Sequence, residues 1–177
     1  MLNADLKQQL KQLLELMEGD VEFIASLGSD DKSKELKDLL DEIADMSARI
    51  TVTEKDLKRT PSFSVNRPGE ETGVTFAGIP LGHEFNSLVL AILQVSGRAP
   101  KEKQSVIDQI KGLEGPFHFE TFVSLTCQKC PDVVQALNLM SVINPNITHT
   151  MIDGAVFREE SEDIMAVPAV FLDGQEF

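Results

Sequence analysis

Two cysteines, Cys127 and Cys130, stand two residues apart in the stretch TCQKCP and are the only cysteines in the chain. Three kinds of chemistry use such a pair: a zinc site, a structural disulfide and a redox-active dithiol. A disulfide across so short a loop constrains the unfolded chain little. A zinc site needs two further ligands, which would have to come from His83, His118 or His149 because there is no second Cys-x-x-Cys. The pair therefore favours redox chemistry, with zinc binding as an alternative.

The segments on either side of the pair predict a strand followed by a helix. FHFETFVSL, before the pair, has the composition of a strand, and CPDVVQALNLMSVI, after it, is a strongly apolar helix. This places Cys127 at the N-terminus of the helix and Cys130 one turn along. Unpaired N–H groups and the positive end of the helix dipole lower the pKa of a thiol there. We therefore expect Cys127 to be the exposed nucleophile and Cys130 to be the shielded, resolving thiol.

Two neighbours of the cysteines bear on this prediction. Pro131 suits the first turn of a helix, where its missing N–H has no intrahelical partner. Lys129, between the cysteines, either adds a cation that favours the thiolate or is an ordinary solvated turn residue.

Composition excludes several classes of partner. With 16 Lys and Arg against 29 Asp and Glu, the formal net charge is -13, which repels a phosphate backbone and excludes nucleic acid. The N-terminal stretch MLNADLKQQLKQLLELM lacks the unbroken apolar core of an export signal, and no run reaches membrane-spanning length. We therefore expect a chain of the reducing cytoplasm, where a close cysteine pair is more often catalytic or metal-binding than structural.

Helical and strand patterns alternate along the chain, which indicates mixed α/β architecture. The predicted order is helix 6–17, strand 20–27, helix 36–44, strand 49–55, strands within 60–69 and 73–80, helix 83–95, helix 101–113, strand 117–125, helix 130–143, strand 147–153, short helix 157–165, and a strand within 167–177 that turns at Asp173 and Gly174.

One supersecondary unit occurs twice. VEFIASLGSDDKSKELKDLLDEI and HFETFVSLTCQKCPDVVQALNLM share strand, Ser-Leu, turn and helix, and Pro61 and Pro168 open the corresponding later strands. The boundary falls in SGRAPKEK, which divides the chain into 1–97 and 98–177. The second unit stops at Phe177, so we expect its last strand and closing helix to be missing and the chain to be a fragment.

A Cys-x-x-Cys at a strand-to-helix turn, followed by a strand, a helix and a Val-Pro strand, resembles a thioredoxin fold. SLTCQKCPDVVQALNLM, PLGHEFNSLVLA and the doubled unit together resemble the N-terminal domain of the F subunit of bacterial alkyl hydroperoxide reductases, over essentially the whole chain. The resemblance implies two tandem thioredoxin-like units, with mixed sheets flanked by helices, fused into one compact domain. The first is redox-inactive, with GSDDK in place of a redox motif, and the second is redox-active.

The resemblance also implies a protein-disulfide oxidoreductase and its electron path. NADH reduces FAD, the flavin reduces a Cys-x-x-Cys in the flavoprotein body of the same full-length chain, and that pair reduces the N-terminal pair, which reduces a peroxiredoxin, the C subunit. By position, Cys127 is the interchange thiol, Cys130 its partner, Pro168 a cis-proline and Glu84 an acid near the pair. No cofactor site is expected on this chain, because FAD and NADH belong to the flavoprotein body.

Plainer interpretations stand beside these. Pro168 is also a normal first residue of a strand, and Glu84 is also a helix-start acid that interacts favourably with the dipole. His118 and His149 alternate within strands and are expected to be surface or edge side chains, and the acidic run REESEDI a solvated helix face. For function, the alternatives are a zinc-binding module, a redox-inert docking module and an oxidant of the disulfide isomerase type.

Overall fold

Within residues 2–176, eight strands form one mixed sheet that runs through both predicted units, in the order β2-β1-β3-β4-β6-β5-β7-β8. A computed structural model describes residues 2–176. The elements are α1 (Ala4–Leu14), β1 (Val21–Ser26), α2 (Asp31–Met46), β2 (Ile50–Glu54), β3 (Ser62–Arg67), β4 (Glu70–Ala77), a 3-10 turn (Gly82–Glu84), α3 (Phe85–Val95), α4 (Gln104–Lys111), β5 (Phe117–Val123), α5 (Cys130–Ile143), β6 (Ile147–Asp153), β7 (Ala169–Leu172) and β8 (Gln175–Glu176).

Side-chain caps mark the starts of the first two helices. Asn3 Oδ1 accepts the N–H of Leu6 at 2.8 Å at the start of α1, and Asp30 Oδ2 accepts the N–H of Ser33 at 3.2 Å at the start of α2. Each bond satisfies a donor that the first helical turn leaves free.

Strand direction brings the ends of four strands together. β1 and β4 are both antiparallel to β3, and β6 is parallel to both β4 and β5. The strands β1, β4, β5 and β6 therefore run the same way and end together at Ser26, Ala77, Val123 and Asp153. We call this the carboxyl end of the sheet. β7 is antiparallel to β5, so it starts there.

The helices pack on one face of the sheet. Phe23, Phe63 and Phe76 are fully buried on that face, in a cluster with side chains from α1, α2, α3 and α5, while α4 packs with α5 over β5 and β6. The opposite face carries Ser and Thr side chains and an open cavity of about 730 Å³, which neither cysteine lines. No helix within residues 2–176 is both long enough and apolar enough to cross a bilayer.

The short helix predicted at 157–165 is wrong: this segment forms successive turns. Side chains here bond to nearby backbone groups in place of helical hydrogen bonds. Asp153 Oδ1 accepts the N–H of Ala155, and the Ser161 hydroxyl bonds to the carbonyls of Gly154 and Arg158. Such local bonds compete with a helix. We call residues 154–168 the connecting loop.

The bounds of two predicted helices differ in the structure. The helix predicted at 101–113 covers Gln104–Lys111, and the one predicted at 36–44 covers Asp31–Met46. The predicted turn at Asp173 and Gly174 is confirmed: both residues adopt positive φ, and β8 pairs with β7. That the second unit lacks its last strand and closing helix stays a prediction. Phe177, where the predicted strand ends, lies outside the described residues.

His149 is not at the surface, contrary to the sequence-based prediction. It is fully buried, with Nε2 2.8 Å from Thr121 Oγ1 and Nδ1 2.7 Å from Asn138 Oδ1. Because β6 lies inside the sheet, its alternate side chains face α5 rather than solvent. Burial lowers the pKa of His149 from 6.5 to about 3. His118 is exposed, as predicted, and bonds to Thr148.

Acid should destabilise the fold through His149. Because the unfolded state takes up the proton near pH 6.5 and the folded state only near pH 3, the stability supplied by the neutral ring is complete above 6.5 and is lost as pH falls towards 3. In that range the unfolding free energy should fall by up to about 1.4 kcal/mol per pH unit from this group.

Urea unfolding at several pH values measures this slope. His149→Gln should be less stable near neutral pH, but its unfolding free energy should depend less steeply on pH because the contribution of His149 is removed. His118→Gln should keep the pH dependence of the wild type. An unchanged slope in His149→Gln would contradict the assignment.

Candidate redox-active site

Cys127 and Cys130 form a disulfide in the loop between β5 and α5, with their Cα atoms 5.5 Å apart. α5 begins at Cys130, so the expectation that Cys130 lies one turn into the helix is wrong. The Cys130 N–H donates to Cys127 Sγ at 3.2 Å, so the sulfur takes the place that a capping oxygen holds at other helix starts. An N–H group of the first helical turn is therefore aimed at the Cys127 sulfur, where it would favour a thiolate.

The two sulfurs differ in access to solvent. Cys130 is fully buried in the main core cluster, whereas Cys127 is half-buried at the edge of that cluster. The predicted difference in exposure is confirmed. Only Cys127 offers its sulfur to a second molecule without the helix having to move.

The start of β7 lies against the exposed sulfur. Cys127 Sγ is 3.9 Å from the carbonyl oxygen of Val167, and the peptide bond between Val167 and Pro168 is cis. Strand direction explains this contact, since β7 starts at the same end of the sheet as the loop that carries Cys127. The peptide bond before Pro168 is thus cis, as the resemblance implied, and its carbonyl side faces Cys127.

A close backbone contact joins the first unit to the cysteine loop. The His83 N–H donates to the Leu125 carbonyl at 3.0 Å. Gly82 has φ +57, and a Cβ at this position would lie 2.8 Å from the same carbonyl oxygen, so only glycine fits. This contact holds Glu84 on the loop that faces the cysteine loop.

Glu84 directly precedes α3 and is buried. Its side chain is 0% exposed, and Ser87 donates to Oε1 at 2.7 Å while Oε2 has no partner within the described residues. Gln135 on α5 donates to the Ser87 hydroxyl at 3.2 Å, which links the acid to the helix that starts at Cys130. Burial raises the pKa of Glu84, and the bond from Ser87 opposes that shift.

Sequence reasoning missed an ionic cluster on the connecting loop. Arg59, from the first unit, bonds to both carboxylate oxygens of Glu160 at 2.8 to 3.1 Å and to Glu120 on β5 at 2.7 Å. The Arg59 side chain is only 9% exposed, and its guanidinium holds the pKa of Glu160 below the ordinary value. No local pattern predicts a bond between residues 101 positions apart.

No three His, Cys, Asp or Glu side chains within residues 2–176 are grouped to hold a metal ion. A helix N-terminus can bind a phosphate, but the start of α2 is capped by the Asp30 carboxylate and the start of α5 by the disulfide. Lys129 occupies the residue before α5, and its two interpretations stay open.

The chain is similar to known proteins over its full length, although no protein-family model matches it. It is 93% identical to the F subunit of alkyl hydroperoxide reductase from Staphylococcus epidermidis, over 100% of this chain and 35% of the relative's length. The chain therefore spans about a third of that relative. It is 34% identical to the solved NTD_N/C domain of alkyl hydroperoxide reductase AhpF from Enterococcus faecalis, with a TM-score of 0.92 over 100% of this chain and 93% of that one.

A more distant match supports the fold alone. A protein disulfide oxidoreductase from Aeropyrum pernix aligns with a TM-score of 0.84 at 20% identity, over 98% of this chain and 85% of that one. Together with the sheet order and the repeated units, these matches confirm the predicted α/β fold with thioredoxin-like units. The division at residues 97 and 98 stays a prediction, since one sheet runs across both units.

Alkylation should distinguish the two thiols. After reduction, iodoacetamide should modify Cys127 about tenfold or more faster than Cys130, because Cys130 is fully buried. Peptide mass spectrometry after short exposure measures both rates. Cys130→Ser should keep the fast modification and Cys127→Ser should lose it. Equal rates at the two positions would contradict the unequal roles.

Proposed function

The chain belongs to the family of alkyl hydroperoxide reductase F subunits, matching their N-terminal domain, and from this we propose that it passes electrons as a dithiol to a peroxiredoxin. The partner is the C subunit, and the process served is peroxide detoxification. The observation that carries the proposal is the unequal pair: a half-buried Cys127 that receives a helix N–H, joined to a fully buried Cys130. The sulfur that attacks a second protein must be accessible to it. The resolving sulfur acts only afterwards, on the mixed disulfide, and can be buried.

Reduction of the partner takes two exchange steps. The Cys127 thiolate attacks one sulfur of the partner disulfide, so that a bond forms between the proteins and the other partner sulfur leaves as a thiolate. The Cys130 thiol gives up its proton and attacks Cys127 Sγ, which closes the Cys127–Cys130 disulfide and releases the second partner sulfur. Two electrons pass to the partner, and its two thiolates take up two protons.

Restoring the dithiol needs a reductant that this chain does not hold. We assign that step to the flavoprotein part of the longer relatives, where NADH and FAD would supply the electrons through a second cysteine pair. This chain contributes its own disulfide as the acceptor and carries no step on a flavin or a nicotinamide. Such a cycle belongs in the bacterial cytoplasm, where thiols are kept reduced.

Two further residues have proposed roles at the pair. Pro168 keeps the Val167 carbonyl against Cys127 Sγ, and because proline has no N–H it places no donor there to compete for the sulfur. Glu84 lies buried on the facing loop with one carboxylate oxygen that has no partner within the described residues. Its raised pKa suits a group that accepts a proton from a cysteine or tunes the pKa of Cys127.

Two alternative functions can be distinguished from this one by measurement. An oxidant of the disulfide isomerase type shares the motif but has a clearly higher reduction potential than a reductase. A redox-inert docking module shows no reversible two-electron titration of the pair. A potential near that of thioredoxin, about -270 mV, supports the reductase.

Loss of the attacking sulfur should abolish transfer. Cys127→Ser should reduce neither the oxidised C subunit nor dithionitrobenzoate, an aromatic disulfide, because the one remaining thiol, Cys130, is fully buried. Cys130→Ser is the matched control and should accumulate a covalent complex with the C subunit through Cys127. Undiminished turnover by Cys127→Ser, followed by the absorbance of the released aromatic thiolate, would overturn the assignment.

Removing the buried carboxylate should shift the reactivity of Cys127. Where Glu84 is ionised it disfavours a nearby thiolate, so Glu84→Gln should move the alkylation midpoint of Cys127 to lower pH, by about 0.5 to 1 unit. Rates of iodoacetamide modification across the neutral pH range give the midpoint. Glu70→Gln, at the opposite end of β4, is the control. An unchanged midpoint in Glu84→Gln would leave Glu84 with a structural role only.

A further inference from the structure

Three buried polar side chains join the strand before the cysteine loop to the helix after it. His149 on β6 lies between Thr121 on β5, whose Oγ1 is 2.8 Å from Nε2, and Asn138 on α5, whose Oδ1 is 2.7 Å from Nδ1. His149 and Thr121 are 0% exposed and Asn138 is 2% exposed. We call these three residues the buried bridge. The two exchange steps make no use of it.

The hydrogen bonds of the buried bridge run in one direction. Asn138 Oδ1 can only accept, so His149 Nδ1 carries the ring proton. Burial lowers the pKa of His149 to about 3, so near pH 7 the ring is neutral and has a single N–H. Nε2 therefore accepts, and the Thr121 hydroxyl donates to it. An apolar side chain at either end would break the bridge.

The buried bridge fixes α5 relative to β5, the two elements that the cysteine loop connects. The position of α5 decides where the Cys130 N–H points, and that N–H donates to Cys127 Sγ at 3.2 Å. Asn138 lies eight residues along α5 from Cys130, about 12 Å at the helical rise per residue. Because α5 is continuous from Cys130 to Ile143, a bond that holds Asn138 also limits the movement of Cys130.

Apolar packing alone would fix α5 less tightly. Its buried side chains include Val134, Leu137 and Leu139, and burial of apolar surface has no preferred direction. Two other polar side chains of α5 bond away from the sheet: Gln135 donates to Ser87 on α3, and the Ser141 hydroxyl donates to the Leu137 carbonyl of α5 itself. Asn138 supplies a directional bond to a strand.

We propose that the buried bridge is a positioning device for Cys127: it holds α5 where the Cys130 N–H meets the Cys127 sulfur, and so keeps Cys127 reactive as a thiolate. This rests on the proposed function, in which Cys127 attacks first. It adds three residues that act through the helix rather than on the sulfur. Without the bridge the N–H would move off the sulfur, and the thiolate would lose a hydrogen bond that favours it.

The isosteric change Thr121→Val tests the bridge with little change in packing volume. It replaces the hydroxyl by a methyl group and leaves His149 Nε2 without its donor, whereas Thr121→Ser keeps a hydroxyl. In the reduced chain, the midpoint pH of Cys127 alkylation by iodoacetamide should rise by about 0.5 to 1 unit in Thr121→Val, because the thiolate is less stable. Thr121→Ser should keep the wild-type midpoint.

Ser141→Ala separates positioning from stability. Ser141 is 2% exposed on the same helix, and its hydroxyl bonds within α5. Ser141→Ala should therefore lower the free energy of unfolding in urea without moving the alkylation midpoint of Cys127. The titratable groups on the elements around Cys127 are the same in every variant: Lys129, Asp132, His83, Glu84, Glu162 and Asp163.

Asn138→Leu removes the other end of the buried bridge. If both ends act through His149, this change and Thr121→Val should raise the midpoint by similar amounts. The double variant should then show no more than the larger of the two single shifts, because residues of one hydrogen-bonded network are not additive.

An unchanged midpoint in Thr121→Val, or an equal rise in Ser141→Ala, overturns the positioning role. If Thr121→Val does not fold, Asn138→Leu is compared with Ser141→Ala on the same terms. A wild-type chain whose Cys127 is alkylated as expected, but which passes no electrons to the oxidised C subunit, would instead overturn the proposed function.

Discussion

The parallel pairing of β4 with β6 is the constraint on which the site depends. It joins the two units into one sheet with a shared direction, so the loops that follow β4 and β5 meet at the same end of the sheet. Two contacts of the cysteine loop follow from this joint: the backbone bond from His83 to Leu125 and the approach of the start of β7 to Cys127. A unit standing alone would present its cysteines without the facing loop.

The first unit lacks cysteines, yet it supplies three supports to the active one. Gly82 permits a backbone approach that any side chain would block. Ser87 ties Glu84 to Gln135 on the cysteine helix, and Arg59 fixes the connecting loop through Glu160. The doubled scaffold thus separates two tasks: one unit carries the reactive sulfurs and the other fixes the loops that border them. Such preorganisation is what precise thiol exchange requires.

Local patterns predicted most of the fold and the cysteine pair, because helix periodicity, caps and turn residues act over a few positions. They failed where contacts between distant parts of the chain determine the structure. His149 alternates like a surface residue, but β6 is interior and α5 covers it. The acidic run REESEDI, residues 158–164, resembles a helix, yet Glu160 pairs with Arg59 and the Ser161 hydroxyl bonds to the backbone. Glu84 and Pro168 came from the family resemblance, since spacing alone favoured plainer roles for both.

A count of thiols in both proteins after one encounter tests most directly whether Cys127 and Cys130 reduce the C subunit. The reduced chain, freed of reductant, is mixed with an equal amount of oxidised C subunit, quenched by alkylation, and both masses are measured. The account predicts that the chain loses two alkylated thiols, at Cys127 and Cys130, while the C subunit gains two. A chain that keeps both thiols while a disulfide-competent C subunit stays oxidised would contradict it.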